Sequence, residues 1–192
     1  MAAQSNLRNM VLCLTAVCLV CAALLGCIYV VTEQPIKDAA ARDLQAALSQ
    51  VLPSDGEIST EAQFVTVDGV NYEYYTLSSE GQAKGWAIKS VVNGFGGALT
   101  VLVGMERDGV VHAAKVLSHS ETPGLGAKCQ TESSFIDQFK GFDSASRKLS
   151  VKKDGGDIDA ITASTITSRA YTLAVANAAK VAAGLQDKEA TK

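Results

Sequence analysis

Metal-binding side chains are scarce in this chain. Beyond residue 31 there is one cysteine, Cys129, and the only histidines are His112 and His119. A single cysteine forms no disulfide within a domain, and no CxxC pair stands there to hold zinc. Basic residues are not in excess: Lys and Arg number 17 against 20 Asp and Glu, a net charge of −3. Arg8 is the one formally charged side chain before Glu33, so removing its +1 leaves the remainder at −4. Without a basic stripe, binding to a phosphate backbone has no electrostatic footing, which excludes a nucleic-acid partner. No GxGxxG or GK[ST] fingerprint leads from a strand into a helix. No Ser-His-Asp set or paired carboxylates emerge, so a hydrolase is not indicated.

What the chain does have is apolar surface, at 47% of its 192 residues, and part of it is concentrated. Met10–Val31 reads MVLCLTAVCLVCAALLGCIYVV, 22 residues without a formal charge. A run that long can span a bilayer as a helix. A signal peptide competes because the run is N-terminal. The run is longer than a usual signal core, however, and no small-x-small cleavage site stands clearly after it. Leu24-Leu25-Gly26-Cys27 loosely matches a lipoprotein cleavage box, which makes lipidation of Cys27 the second alternative. We expect a retained, single-pass anchor over 10–31. Arg8 and the amino terminus precede the run without an acid, while Glu33, Lys37 and Asp38 follow it. The positive-inside rule then predicts a cytoplasmic N-terminus over 1–9 and a bulk domain on the far side. Cys13, Cys18, Cys21 and Cys27 lie in the run and read as small apolar fillers.

Residues 32–53 carry Ile36, Ala40, Leu44, Ala47, Leu48 and Val51 at helical spacing. They predict an amphipathic stalk helix, broken or kinked near Pro35 and stopped by Pro53-Ser54-Asp55-Gly56. The period then changes. AQFVTVDGVNYEYYTLSSEG predicts two strands joined at Asp68-Gly69, KGWAIKSVVNGFGG a third, and ALTVLVGMERDGVVHAAKVLSH a hairpin turning near Arg107-Asp108-Gly109. SSFIDQFKG predicts a short helix capped by Ser133 or Thr131. RKLSVKK reads as a strand. A long helix opens in the hydroxyl run and ends near Gly184, with a polar, frayed tail over 187–192. Helix, strands, short helix, strand and long helix predict an α+β domain with an antiparallel sheet and flanking helices over 54–186. Trp86 and the Tyr72, Tyr74, Tyr75 group read as sheet packing, His112 as an ordinary mid-strand residue, and Gly94-Phe95-Gly96-Gly97 as a turn or bulge.

Two stretches carry possible chemistry. Thr162, Ser164, Thr165, Thr167 and Ser168 crowd the mouth of the last helix. First-turn amides and the macrodipole favour an anion at such a place. A hydroxyl there can cap the helix, hydrogen-bond a phosphate, or form a phosphoester with one; residue types alone leave the three open. In SHSETPGLG, Pro123 restricts Thr122 to an extended form, and Gly124 and Gly126 permit close backbone approach. That loop can press against a flat, polar-edged ring, with His119 and Glu121 beside it, or simply join sheet to helix.

GFGGALTVLVGMERDGVVHAAKVLSHSETPGLG resembles the FMN-binding domain of the G subunit of the Rnf electron transport complex. The C subunit of the sodium-pumping NADH:quinone oxidoreductase is a cousin. HSETPGLG, His119–Gly126, is the most specific match, and DAITASTITS, Asp159–Ser168, is similar to that family's flavinylation motif. The order of elements and the N-terminal anchor agree with it. The resemblance implies a covalent FMN, esterified to Thr165, with Asp159 and Thr162 read by an ApbE-type flavin transferase using FAD. It implies that Ser164, Thr167 and Ser168 help hold the phosphate. His119, Glu121, Thr122, Gly124, Leu125 and Gly126 would border the isoalloxazine ring. It implies an electron-transfer subunit of an ion-translocating ferredoxin:NAD+ oxidoreductase, incapable of a full turnover alone. Its partners would be the membrane and peripheral subunits of that complex. The location implied is the bacterial cytoplasmic membrane, with the domain on its periplasmic or extracellular side. Alternatives are a component like the quinone reductase's C subunit, a noncovalent FMN- or ligand-binding lipoprotein, and an anchored structural protein without covalent flavin. One departure stands out: the family usually has Gly-Ala where this chain has Ala163-Ser164. A positive φ at that position would strain Ala163 by about 1 kcal/mol or more.

Overall fold

The computed structural model describes residues 7–59, 61–144 and 146–190. It divides into two compact units, residues 1–43 and 44–192. The expectations for residues 1–6 and 191–192 lie outside the described residues.

The first unit is helical. Helix α1, Leu7–Val51, begins here and runs on into the second unit. The described residues contain one helix long and apolar enough to cross a membrane, and this is it. Its large side chains, from Leu12 to Val31, stand exposed as a lipid-facing surface requires. The expected break at Pro35 does not occur. A proline removes one rung of the ladder, and the long turns on either side, braced by Lys37 on Glu33 at 2.6 Å, carry the helix across.

The second unit is an antiparallel sheet with a helix on each face. Its strands are β1 (Glu57–Ile58), β2 (Gln63–Val67), β3 (Val70–Ser79), β4 (Gln82–Asn93), β5 (Ala98–Glu106), β6 (Val110–His119) and β7 (Phe142–Asp143). They are ordered β1-β3-β4-β5-β6-β7, with β2 also paired to β3. Consecutive strands from β2 to β6 pair through tight turns, as the Asp68-Gly69 and Asp108-Gly109 signals require. The period-2 alternation of strands decides the two faces. Trp86, Ile88, Val101, Val103 and Met105 point to one, while Ala87, Leu102 and Ala113 point to the other.

Helix α3, Thr165–Ala190, covers the first face with Ala170, Tyr171, Ala174, Val175, Ala178, Val181, Ala182 and Leu185, a helical stripe of small and branched side chains. The Tyr171 ring packs against Phe135 and Phe139, at 5.2 and 4.9 Å between centroids, and its hydroxyl donates to the Ala114 carbonyl at 3.2 Å. Trp86 and Tyr72 belong to this core, in agreement with their reading as packing residues. The other face is covered by the last two turns of α1: Ala47, Leu48 and Val51 are buried and Leu44 is half-buried. Of the expected stalk face, Ile36 and Ala40 remain exposed. At Gly104 the approach is so close that an added Cβ would stand 1.7 Å from the Val51 carbonyl oxygen.

Three local expectations are corrected. Helix α2, Ser133–Ile136, is capped by neither Ser133 nor Thr131. The 3-10 turn over Gly126–Gln130 runs straight into it, and the Thr131 and Glu132 amides donate to the Lys128 carbonyl at 3.0 and 2.8 Å. RKLSVKK is not a sheet strand. It holds a single parallel bridge, Val151 to Ile158, because the turn at Gly155-Gly156 folds the segment back on itself. The Ile158 amide then donates to the Ser150 carbonyl at 3.1 Å. The edge strand is β7 instead, paired to Val110 and Val111. Finally, α3 does not stop near Gly184 but reaches Ala190, with Lys188 in its last turn favourable to the helix dipole.

Candidate functional site

Three segments distant in sequence meet at the first turn of α3: the turn between β4 and β5, the loop after β6, and residues 163–167. They enclose a cavity of about 350 Å³ lined by Phe95, Glu121, Thr122, Leu125, Gly126 and the five residues from Ala163 to Thr167. That size lies in the range of small-molecule sites, about 300–1,000 Å³.

Glu121 ties the segments together. Its carboxylate is buried and accepts two hydrogen bonds of 2.8 Å. The Phe95 amide donates to Oε1, and the Thr167 hydroxyl donates to Oε2. Both bonds are charge-assisted, the stronger kind. Two glycines make room for the carboxylate: a Cβ on Gly94 would stand 1.9 Å from Oε1, and one on Gly126 2.4 Å from Oε2. The Glu121 amide donates to His119 Nδ1 at 3.2 Å, so the ring proton sits on Nε2, where Gln130 Oε1 receives it at 3.2 Å.

The hydroxyls divide the labour. Ser168 is structural: its Oγ accepts from the Ile161 amide and donates to the Ser164 carbonyl, both at 2.9 Å. Thr172 likewise donates back to Ser168, at 2.8 Å. Thr167 serves Glu121. Thr165 is half-buried, and its Oγ1 lies 3.4 Å from Lys153 Nζ. Ser164 occupies the N-cap position, since its carbonyl accepts the first intrahelical bond from the Ser168 amide at 3.0 Å. A capping serine would turn its hydroxyl to the first-turn amides. Ser164 Oγ instead is buried with no hydrogen-bond partner among the described residues. An orphan hydroxyl costs about 1–3 kcal/mol. Ser164 is among the residues that line the cavity, beside first-turn amides that no helix satisfies internally, but its Oγ itself is shut off from that space. First-turn amides at the positive end of a 26-residue helix make the cavity a cradle for an anionic group. A phosphate fits it, and the exposed apolar side chains of Phe95, Leu125 and Ile166 at its rim fit a flat ring.

Ala163 has φ +62, one of three non-glycine residues with positive φ among the described residues. The left-handed turn is what bends the chain from Ile161 into the helix. Ala163→Gly removes the Cβ penalty and is expected to stabilise the protein by about 0.5–1 kcal/mol. The check is the melting temperature of the full chain in detergent, expected to rise by a few degrees.

Of the residues singled out from sequence, Glu121, Thr122, Leu125, Gly126, Ser164, Thr165 and Thr167 line the cavity. Asp159, Thr162, Ser168, His119 and Gly124 do not. Asp159 lies outside it, with its carboxylate on Lys152 at 2.7 Å and its backbone held by Gln138, while Thr162 is exposed. Sequence reading missed Phe95, Ile166 and Lys153. Phe95 had a signal, an aromatic residue in a glycine-rich turn with no strand to serve. Cys129, behind the site, is inert: burial first, and the Glu121 charge second, push its thiol up to about 11. Among the described residues no group of three or more His, Cys, Asp or Glu side chains converges on a metal position.

A family model described as an FMN-binding domain matches residues 94–180, which include every lining residue of the cavity. Curated relatives are each called the G subunit of an ion-translocating oxidoreductase complex. The one from Vibrio atlanticus is 36% identical over 159 residues, covering 77% of this chain and 76% of its own. That from Shewanella piezotolerans is 32% identical over 187 residues, covering 90% and 87%. That from Yersinia pestis is 36% identical over 160 residues, covering 77% of each. Among solved structures, the C subunit of the Na(+)-translocating NADH-quinone reductase from Parabacteroides distasonis aligns at 22% identity with a TM-score of 0.47. The alignment covers 65% of this chain and 77% of that one.

Proposed function

We propose a function from one premise: the chain belongs to the family of the ion-translocating oxidoreductase complex G subunits. It is a membrane-anchored electron carrier that holds FMN through a phosphoester on Thr165 and works beside the other subunits of that complex. The observation that carries this reading is the cavity at the helix mouth, walled by the half-buried Thr165 and the first turn of α3, within the region matched as an FMN-binding domain. FMN supplies the redox chemistry when bound; the protein tethers, shields and tunes it. The first-turn amides of α3 would hold the phosphate, and Phe95, Leu125 and Ile166 would flank the ring. Thr167 is already committed to Glu121 and acts by fixing the loop.

Burial separates the two adjacent candidate hydroxyls. Ser164 is only 6% exposed, whereas Thr165 is half-buried at the cavity wall, so an ApbE-type transferase reaches Thr165. Asp159 and Thr162, outside the cavity, remain readable by that enzyme. Attachment forms a bond from Thr165 Oγ1 to the flavin-side phosphorus of FAD. The diphosphate bridge breaks, AMP leaves, and the hydroxyl proton passes to the transferase. With the orientation expected from Arg8, the domain would lie on the periplasmic or extracellular side, where a covalent tether would prevent cofactor loss.

The test is co-expression with a flavin transferase, denaturation, ultraviolet imaging of the gel and mass mapping. Wild type is expected to fluoresce and to carry FMN on the peptide 154–169 at Thr165. Thr165→Ala loses the signal completely and Thr165→Ser keeps it. An unmodified Thr165 beside a working transferase would overturn the covalent reading and leave the noncovalent and structural ones, which the strained Ala163 would then favour.

A further inference from the structure

The short 3-10 turn Lys152–Asp154 lies against the mouth of α3 and carries three consecutive charges. The outer two are paired away from the cavity. Lys152 meets Asp159 at 2.7 Å. Asp154 takes a two-pronged bond from Arg169, Nε and one terminal nitrogen each at 2.7 Å. Arg169 holds the Asp154 carboxyl below its usual range, as an ion pair of this geometry must. Arg169 stands four residues beyond Thr165, on the same face of α3. The clamp therefore fixes the turn over the helix mouth.

Lys153, between the two paired residues, is different. Its Nζ reaches Thr165 Oγ1 at 3.4 Å, and among the described residues it meets no carboxylate within ion-pair distance. A neutral hydroxyl is a poor partner for an ammonium. Esterification would convert that oxygen into part of a phosphodiester with a negative charge, in reach of the same nitrogen. We propose that Lys153 is the ionic partner of the phosphodiester on Thr165, aimed by the Asp154–Arg169 clamp. The inference rests on covalent attachment at Thr165 and adds a residue that the flavinylation motif does not contain. A positive charge at Lys153, beside the Thr165 oxygen, would also favour attachment of a phosphate there.

The experiment uses the full chain in detergent, purified transferase and FAD, with two readouts. The first is the rate of FMN attachment by intact mass. Lys153→Gln is expected to slow it about tenfold, Lys153→Arg to retain most of it, and the distant Lys188→Gln to leave it unchanged. The second is the 31P resonance of the attached phosphate, expected to shift in Lys153→Gln and to return near its wild-type position in Lys153→Arg. A lysine used only to dock the transferase would slow attachment and leave the resonance unmoved, which overturns the proposal. So would equal rates and equal spectra in wild type and Lys153→Gln. A wild-type chain that takes up no FMN overturns the underlying reading, and the Lys153 role with it.

Discussion

Glu121→Ala is expected to destabilise the protein by about 3–5 kcal/mol, the largest effect of any single side-chain truncation at the site. The carboxylate accepts from the Phe95 amide and from Thr167 Oγ1, each at 2.8 Å, and is 5% exposed. Hydrogen bonds to a charged group contribute about 1.5–3 kcal/mol each, and truncation leaves both donors without their acceptor. The two ends of this bridge lie on different elements, so its loss frees the β4–β5 turn and the first turn of α3 from the loop that joins them. Glu121→Gln tests the role of the charge. An amide offers one acceptor and a donor group to a site that presents two donors, so the loss is expected at about half that of alanine. Thermal unfolding of the full chain in detergent measures both. A drop of a degree or less for Glu121→Ala would mean that water replaces the carboxylate and that the bridge contributes nothing to the fold. If FMN is attached as proposed, the attached fraction provides a second measure and is expected to fall with the melting temperature.

Gly104→Ala is expected to be comparably severe for an unrelated reason. The added Cβ would meet the Val51 carbonyl oxygen at 1.7 Å and its carbon at 2.6 Å. Both are backbone atoms at the end of a helix, with no rotamer to change, so the helix end must move off β5. Overpacking costs about 1–3 kcal/mol where side chains can yield. Here the helix end must lift, and about 3 kcal/mol or more is expected. Leu48, Val51, Leu77 and Leu102 lose contact together, because they form one cluster on that face. Denaturant unfolding gives the loss. Hydrogen exchange over residues 44–52, expected to speed up more than over α3, gives its location. Equal acceleration in both helices would contradict a local origin.

The sheet was legible because its signals are local. Asp68-Gly69 and Asp108-Gly109 are two-residue turn codes, and alternation between them defines the strands. The last helix was legible as a long helix opening in the hydroxyl run, though its end was set near Gly184 and not at Ala190. The site was legible in a different way, as a motif match around HSETPGLG and DAITASTITS, which named seven of the ten lining residues. What could not be read was the assignment of partners. Thr167 and Glu121 are 46 positions apart, and nothing in either segment announces that a charged loop residue is buried. Five hydroxyls look alike in a string. Only the fold decides that Ser168 bonds backward, Thr167 sideways and Ser164 to nothing. RKLSVKK misled because its alternation is genuine, but Gly155-Gly156 folds it onto its own continuation before it can reach the sheet.

Helix α1 performs two tasks, and the division between them has a practical result. Lys37 and Arg42 are exposed, and both precede the first core residues, Leu44 and Ala47. Trypsin acting there would sever the leash while leaving each side of the sheet roofed. The released body would keep the helix segment that shields Leu77, Ala87 and Leu102 from water. A cut ten residues later would bare that floor and hand the same sequence over to aggregation. The boundary between what holds this protein to its membrane and what holds it folded therefore falls inside a helix, upstream of Leu44, and not at the loop where that helix ends.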